Sequence, residues 1–338
     1  MRLRWLTAMM AVVALGAACG GSSTVATQPK AGKVQQTQKI VGDKLGLSAS
    51  QLSTVKQFSK GKLVGIVALT MQTQYHQNLN NAAKAEAEAL GFTAQICDSA
   101  TDNAKAVSCF EGFVTQGAAA IITTSAADTV GPAVKDAIAK GIVVVQVTGN
   151  DLLSLGAVTV TVNNLTIGTA EGTAAGQYAA KQFAGKEVQV AILDYPSIPD
   201  LVARADAIQQ GMLAANPQIK VVGRFIGGLA TNGVTSTETA LQKFPQLQGI
   251  VGINDGGDLG GYQAMVAAGK TSAQYFVFGI DCDPQAVTNI DQGTIYKGCV
   301  DTNPGGTGKL AVDAFGQIYS GSDVAGQIEV PVSVHMKS

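Results

Sequence analysis

The chain has 338 residues, a formal net charge of −1 and 46% hydrophobic residues. That length exceeds one typical hydrophobic core and suits two domains of ordinary size. The near-zero charge leaves no electrostatic footprint for nucleic acid, so no nucleic-acid partner is expected.

The chain opens MRLRWLTAMMAVVALGAACGGSS. Arg2 and Arg4 precede an apolar run from Leu6 to Ala18. The run is too short to span a bilayer, so residues 1–18 read as an export signal. The segment Leu15-Gly16-Ala17-Ala18-Cys19 resembles the lipobox of bacterial lipoproteins, with Gly16 where the motif usually has Leu. That resemblance implies an acylated Cys19 and a membrane anchor. The other reading is an ordinary secretory signal with an incidental cysteine. Both expect the protein to work outside the cytoplasm. Trp5, the only Trp, leaves with the signal, and only Arg204 and Arg224 remain as arginines. Arginine is the preferred bidentate partner for carboxylate and phosphate, so anionic ligands are not expected.

Four cysteines follow: Cys97, Cys109, Cys282 and Cys299. An even number in an oxidising compartment suggests two disulfides. Three pairings are possible. Cys97–Cys109 and Cys282–Cys299 are favoured because each closes a short loop, and buried free thiols are the alternative. No metal site is expected, since the histidines are His76 and His335 alone and no Cys-x-x-Cys occurs.

Residues 19–60 read as lipid anchor and flexible tether, with Gly, Ser, Thr, Gln and Lys enriched over 20–45 and a short helix over 49–58. A regular alternation starts after Lys62. Strand 63–69 leads to helix 76–90, with Gly91 as its C-cap. Strand 93–97, helix 103–116, strand 118–123, helix 129–140 and strand 142–147 follow. The alternation restarts at an extended 157–162 and helix 168–183. Strands 188–193, 219–225, 249–253 and 275–279 then alternate with helices near 200–214, 236–243 and 258–268. The tail 294–338 is less regular. Continuous apolar strands alternating with helices indicate parallel sheets covered on both faces. The expected fold is α/β, with two similar doubly wound lobes.

Three segments carry a family resemblance. NNLTIGTAEG at 163–172 is similar to an Asp-Asn-x-x-x-Gly-x-x-x-Gly helix entry, with Asn163 replacing the Asp. INDGGDLGGYQAM at 253–265 and VFGIDCDPQAV at 277–287 are similar to an Asn-Asp-x-x-Ala-x-Gly segment and a Gly-Phe-Asp loop. Together they resemble the type I periplasmic binding proteins, close to the ribose-binding group. The resemblance implies lobes of 62–162 plus 302–330 and of 163–301 plus 331–338, joined by three crossing strands. It also implies a ligand held in the cleft, closure about the crossings, and an ABC permease that takes the ligand.

Ligands of open parallel sheets sit beyond the carboxyl ends of the strands. Loops after strands therefore select Gln72, Thr73, Tyr75 and His76, then Thr123 to Ser125 with Thr124, then Thr148 to Asp151. In the second lobe they select Tyr195, Arg204 or Asp206, Asn254, Asp255 and Asp281, with Asp301 at a crossing. The resemblance carries ligand contact onto Asn254, Asp281 and Asp301. Carboxylates accept from sugar hydroxyls, amides donate and accept, and aromatic faces cover sugar rings. Tyr75 and Tyr195 are the aromatic candidates, one from each lobe; either tyrosine instead caps its sheet as a half-buried loop residue. Thr148-Gly149-Asn150-Asp151 departs from the Asp-Arg pair that sugar binders often carry.

The function expected is a monomeric, cofactor-free solute-binding lipoprotein of an ABC importer for a small neutral sugar or polyol. The acidic set Asp255, Asp281 and Asp301 also suits an amine-bearing ligand, and a ligand-sensing receptor would share the fold. Enzyme chemistry is not expected, since there is no Gly-x-Ser-x-Gly elbow, P-loop or metal-ligand cluster.

Overall fold

Apolar β-branched runs form the strands, and Ala-rich amphipathic segments form the helices between them. The computed structural model describes residues 30–337; the segment expected to be an export signal and Cys19 lie outside them. β1 (Val34–Val41) and α1 (Ala49–Phe58) come first. The first series continues with β2 (Leu63–Ala68), α2 (Gln74–Ala89), β3 (Thr93–Asp98), α3 (Asn103–Thr115), β4 (Ala120–Thr123), α4 (Ala127–Ala139), β5 (Val143–Val147) and β6 (Val158–Thr161). Gly91, with φ +93°, ends α2 in the left-handed region that favours glycine.

The second series is α5 (Asn164–Phe183), β7 (Val188–Asp194), α6 (Pro199–Ala215), β8 (Ile219–Ile226), α7 (Ala230–Lys243), β9 (Leu247–Gly252), α8 (Asp255–Ala267), β10 (Phe276–Ile280), α9 (Pro284–Asp291) and β11 (Tyr296–Asp301). α5 begins at Asn164 rather than Gly168 because the Asn163 side chain caps it, accepting from the Leu165 and Thr166 amides. The tail is more regular than its sequence suggests. It holds α10 (Pro304–Tyr319), β12 (Val324–Glu329) and β13 (Ser333–Met336).

The strands form two sheets, in the orders β1-β12-β6-β5-β4-β2-β3 and β13-β11-β10-β9-β7-β8. Every pairing is parallel except β11 with β13. β4 and β10 are buried along their whole length, as strands covered by helices on both faces must be. The chain passes between the sheets after β6, after β11 and between β12 and β13.

The tether reading fails for residues 34–41. They form β1, an edge strand running parallel to β12. Val34 and Ile40 pack on the core while Gln36, Thr37, Gln38 and Lys39 are exposed to water. An edge strand needs only one partner and tolerates polar residues, so composition alone reads it as a linker. Residues 49–58 form the expected helix, with Ser48 and Gln51 in a reciprocal capping box.

Both favoured disulfides are formed. Cys97–Cys109 ties β3 to α3, and Cys282–Cys299 ties the loop after β10 to β11. In the second lobe α5 and α6 touch backbone to backbone. A Cβ on Gly172 would lie 2.1 Å from the Ile208 carbonyl oxygen, and one on Gly168 2.4 Å from that of Arg204. This approach sets α6, and Arg204 with it, against the first turn of α5.

Candidate functional site

The second lobe supplies a cation and a carboxylate at the mouth of its sheet. Arg204 on α6 donates from Nε to Asn164 Oδ1 at 2.9 Å and from Nη1 to the Ile253 carbonyl at 2.7 Å. The guanidinium is thereby held between the start of α5 and the end of the β9 run. Asp206, the alternative at this helix, is exposed and pairs with Arg224 at 2.6 Å. Asp281 follows β10 and is 7% exposed. Its amide donates to the Val300 carbonyl, and its Oδ1 accepts from Thr302 Oγ1 at 2.9 Å. Burial pushes its pKa up to about 6, against the opposing pull of Arg204 and the Thr302 hydrogen bond; the Asp301 charge adds to the rise.

The first lobe brings Tyr75 to the same place. Its hydroxyl titrates well above the ordinary tyrosine range, chiefly through burial and then through the Asp281 charge, while Arg204 acts oppositely. Tyr75 belongs to α2 and Asp281 and Arg204 to the other lobe, so these groups face one another across the cleft. His76 stacks edge-on to Tyr75 with ring centroids 5.2 Å apart. Burial lowers its pKa to about 4, against the Asp98 charge, so the imidazole is neutral at pH 7. Its Nδ1 lies 2.7 Å from Thr73 Oγ1, and Thr73 also caps α2.

Other expected residues carry structural duties. Thr124 Oγ1 accepts from the Leu69 amide at 2.8 Å and ties β4 to the end of β2. Ser125 is buried beside it. Asp151 accepts from the Ala127 amide at the start of α4 and from Gln146. Asn254 caps α8 with Oδ1 and donates from Nδ2 to the Gly228 carbonyl. Asp255 is fully buried below the cleft, where it accepts from the Tyr296 hydroxyl and the Asp283 amide. Tyr195 is half-buried with its ring against Gly228. Asp301 ends β11, is half-buried and accepts from the Asn303 amide at 2.7 Å.

Thr148 lines a cavity of about 230 Å³ at the crossings, together with Asn150, Asn163, Asn164, Asp200 and Glu329. Asn164 joins the two groups, since it lines this cavity and also holds Arg204. Three residues of the site escaped the sequence reading: Asn164, Thr302 and Asp200. Thr302 directly follows the selected Asp301, and Asn164 lies in the family-like segment at 163–172 but was not among the selected residues.

Among the described residues no helix is long and apolar enough to cross a membrane, and no group of three His, Cys, Asp or Glu could hold a metal ion. Two α/β sheets of this plan, with a tyrosine from one lobe near an arginine and a carboxylate from the other, have the arrangement of a solute-binding protein. The chain belongs to the periplasmic binding protein domain family, whose model matches residues 64–323. Members of this family are extracytoplasmic solute binders and not enzymes. The chain is 26% identical over 276 residues to the ribose import binding protein of Bacillus subtilis, covering 80% of this chain and 86% of that one. It is 25% identical over 282 residues to the ribose import binding protein of Salmonella typhimurium, covering 81% and 90%. Among solved structures, a solute-binding protein from Thermotoga lettingae in complex with 5-methylthioribose matches with a TM-score of 0.71 at 25% identity, covering 83% and 87%. A Mycobacterium smegmatis solute-binding protein with bound glycerol has the same fold, with a TM-score of 0.71 at 24% identity, covering 82% and 94%.

Proposed function

We propose that this chain is the solute-binding lipoprotein of an ABC importer, anchored through Cys19, that holds a small neutral sugar or polyol between its lobes. The lobes are 62–162 plus 302–330 and 163–301 plus 331–338, and they close about the three crossings. Permease subunits of the importer take the ligand from the closed form, and the chain acts as a monomer. The observation that carries this reading is the convergence of Tyr75 from one lobe with Arg204 and Asp281 from the other. A hydroxyl-rich ligand matches it: the Asp281 carboxyl accepts, Arg204 donates, and the Tyr75 ring covers an apolar ring face. His76 is neutral and Arg204 is already engaged twice, so the cleft offers little to a phosphate or carboxylate. Thr148, Asn254, Asp301, Thr73, Thr124, Ser125 and Tyr195 line or support this cleft in the proposal. The relatives support the ligand class, since they are named for ribose and 5-methylthioribose.

The test is thermal unfolding of residues 24–338 against panels of sugars, polyols, nucleosides and amines. A ligand at a hundred times its Kd adds about 2.7 kcal/mol to the folded state. A sugar or polyol hit supports the proposal. A hit confined to amines or nucleosides keeps the solute-binding role and overturns the neutral-sugar assignment.

A further inference from the structure

The loop that carries Asp281 is held in an unusual conformation. Asp281 has φ +104° and Cys282 has φ +50°, both in the region that side-chain-bearing residues rarely adopt. Such conformations persist only where the surroundings over-determine them. Successive residues here are each tied to a different neighbour. The Asp281 amide donates to the Val300 carbonyl, Cys282 is bonded to Cys299, and the Asp283 amide donates to Asp255 Oδ2 at 2.6 Å. Cys299 is the register partner of Gly279 in the β10–β11 ladder and lies two residues before Asp301. The covalent tie therefore joins the loop bearing one cleft carboxylate to the strand bearing the other. Hydrogen bonds in a loop open and close; the disulfide alone fixes the distance between Cys282 and Cys299 permanently.

We infer that the Cys282–Cys299 disulfide is a positioning element for ligand recognition, which holds Asp281 in its left-handed turn, hydrogen-bonded to Thr302 and in reach of Arg204. It rests on the reading of Asp281 as a ligand contact given above. Cys97–Cys109 lies in the other lobe, between β3 and α3; Cys97 precedes Asp98, whose charge reaches His76, but this disulfide ties down no residue proposed to contact the ligand directly. The two disulfides thus have different duties: one fastens a helix to a sheet, and the other shapes the cleft. Breaking the second lets Asp281 leave its turn, lose Thr302 and meet water.

The experiment compares the wild type with Cys282→Ser/Cys299→Ser, each with and without Asp281→Ala. Asp281 is followed by carboxyl carbon NMR titration, and binding of D-ribose, D-allose and allitol is measured by calorimetry. In the wild type Asp281 is expected to titrate near 6, raised by its burial. The serine pair is expected to bring it toward the ordinary aspartate value near ~4. It is also expected to weaken binding at least tenfold, yet to weaken it no further in the Asp281→Ala background. An unmoved Asp281 titration, or equal weakening in both backgrounds, overturns the inference. If none of the three probes binds the wild type, the neutral-sugar proposal fails while the Asp281 titration still decides this one. If the serine pair does not fold, the same titration is run on Cys97→Ala/Cys109→Ala protein reduced in its folded state with a water-soluble phosphine. The phosphine becomes its oxide, and water supplies the oxygen and both thiol protons.

Discussion

Glu171 on α5 and Asp258 on α8 are fully buried in the second lobe, and none of their four carboxylate oxygens has a hydrogen-bond partner among the described residues. The charge of Glu171 acts directly on Asp258, and Asp255 and Asp281 add to it. Arg204 opposes the rise at Glu171 but does not remove it. Gly252 on β9 makes room, since a Cβ there would lie 2.0 Å from Asp258 Oδ1. Two unpaired carboxylates in such a place oppose each other's ionisation, and burial together with this repulsion raises the pKa of both.

Stability is expected to fall as pH rises from about 4 toward 7. Glu171, Asp255, Asp258, Asp281, Asp283 and Asp313 all have raised values, with Asp281 and Asp313 near 6 and Asp283 near 7. A carboxyl whose folded pKa exceeds its unfolded one stabilises the fold fully below the unfolded value and loses that contribution through the folded value. His76, lowered to about 4, works the other way below pH ~6.5 but is one group against six. Asp258→Asn should raise the melting temperature at pH 7.5 by the equivalent of on the order of 1 kcal/mol and change little at pH 4.5. Melting curves across this range check both. A wild-type optimum above pH 7 would contradict it.

Arg204 and Asp206 stand two residues apart on α6 and should respond differently to alanine. Arg204→Ala removes the donors to Asn164 and Ile253 and leaves Asp281 without its cation. It should weaken ligand binding tenfold or more and raise the Asp281 titration above 6. Asp206→Ala releases only a solvent-exposed pair, worth about 0–1 kcal/mol, and should leave binding unchanged. Calorimetry on the two variants separates them.

Gly172→Ala should destabilise the second lobe. The added methyl meets the Ile208 carbonyl oxygen at 2.1 Å, and a helix backbone cannot yield there as a flexible side chain would. Overpacking of this kind costs about 1–3 kcal/mol. Denaturant unfolding measures it, and Gly112→Ala, a helical glycine with nothing within 4 Å of the added Cβ, reports the effect of the methyl without the clash.

Removing residues 1–44 should also destabilise the protein. β12 would lose its outer partner, and Ile328 would lose Ile40 beside it. A truncation at residue 45 that melts like the longer chain would return this segment to the status of a linker.

The alternation of apolar runs with Ala-rich segments determined the two doubly wound lobes from sequence, because burial on both sheet faces forces continuous hydrophobic strands. Cysteine spacing favoured the two local disulfides, since each pair closes a short loop, but only the fold decided among the three pairings. Local signals could also place Asp281 and Tyr75 after strands. They could not choose between Arg204 and Asp206, because helix phase at a cleft depends on how α6 leans on α5 through Gly168 and Gly172. Nor could they show β1, whose polar residues acquire meaning only beside β12, or the buried meeting of Glu171 with Asp258, which lie 87 positions apart in the chain. Periodicity is a local property and survives in the sequence; contacts between distant segments exist only once the lobes have packed.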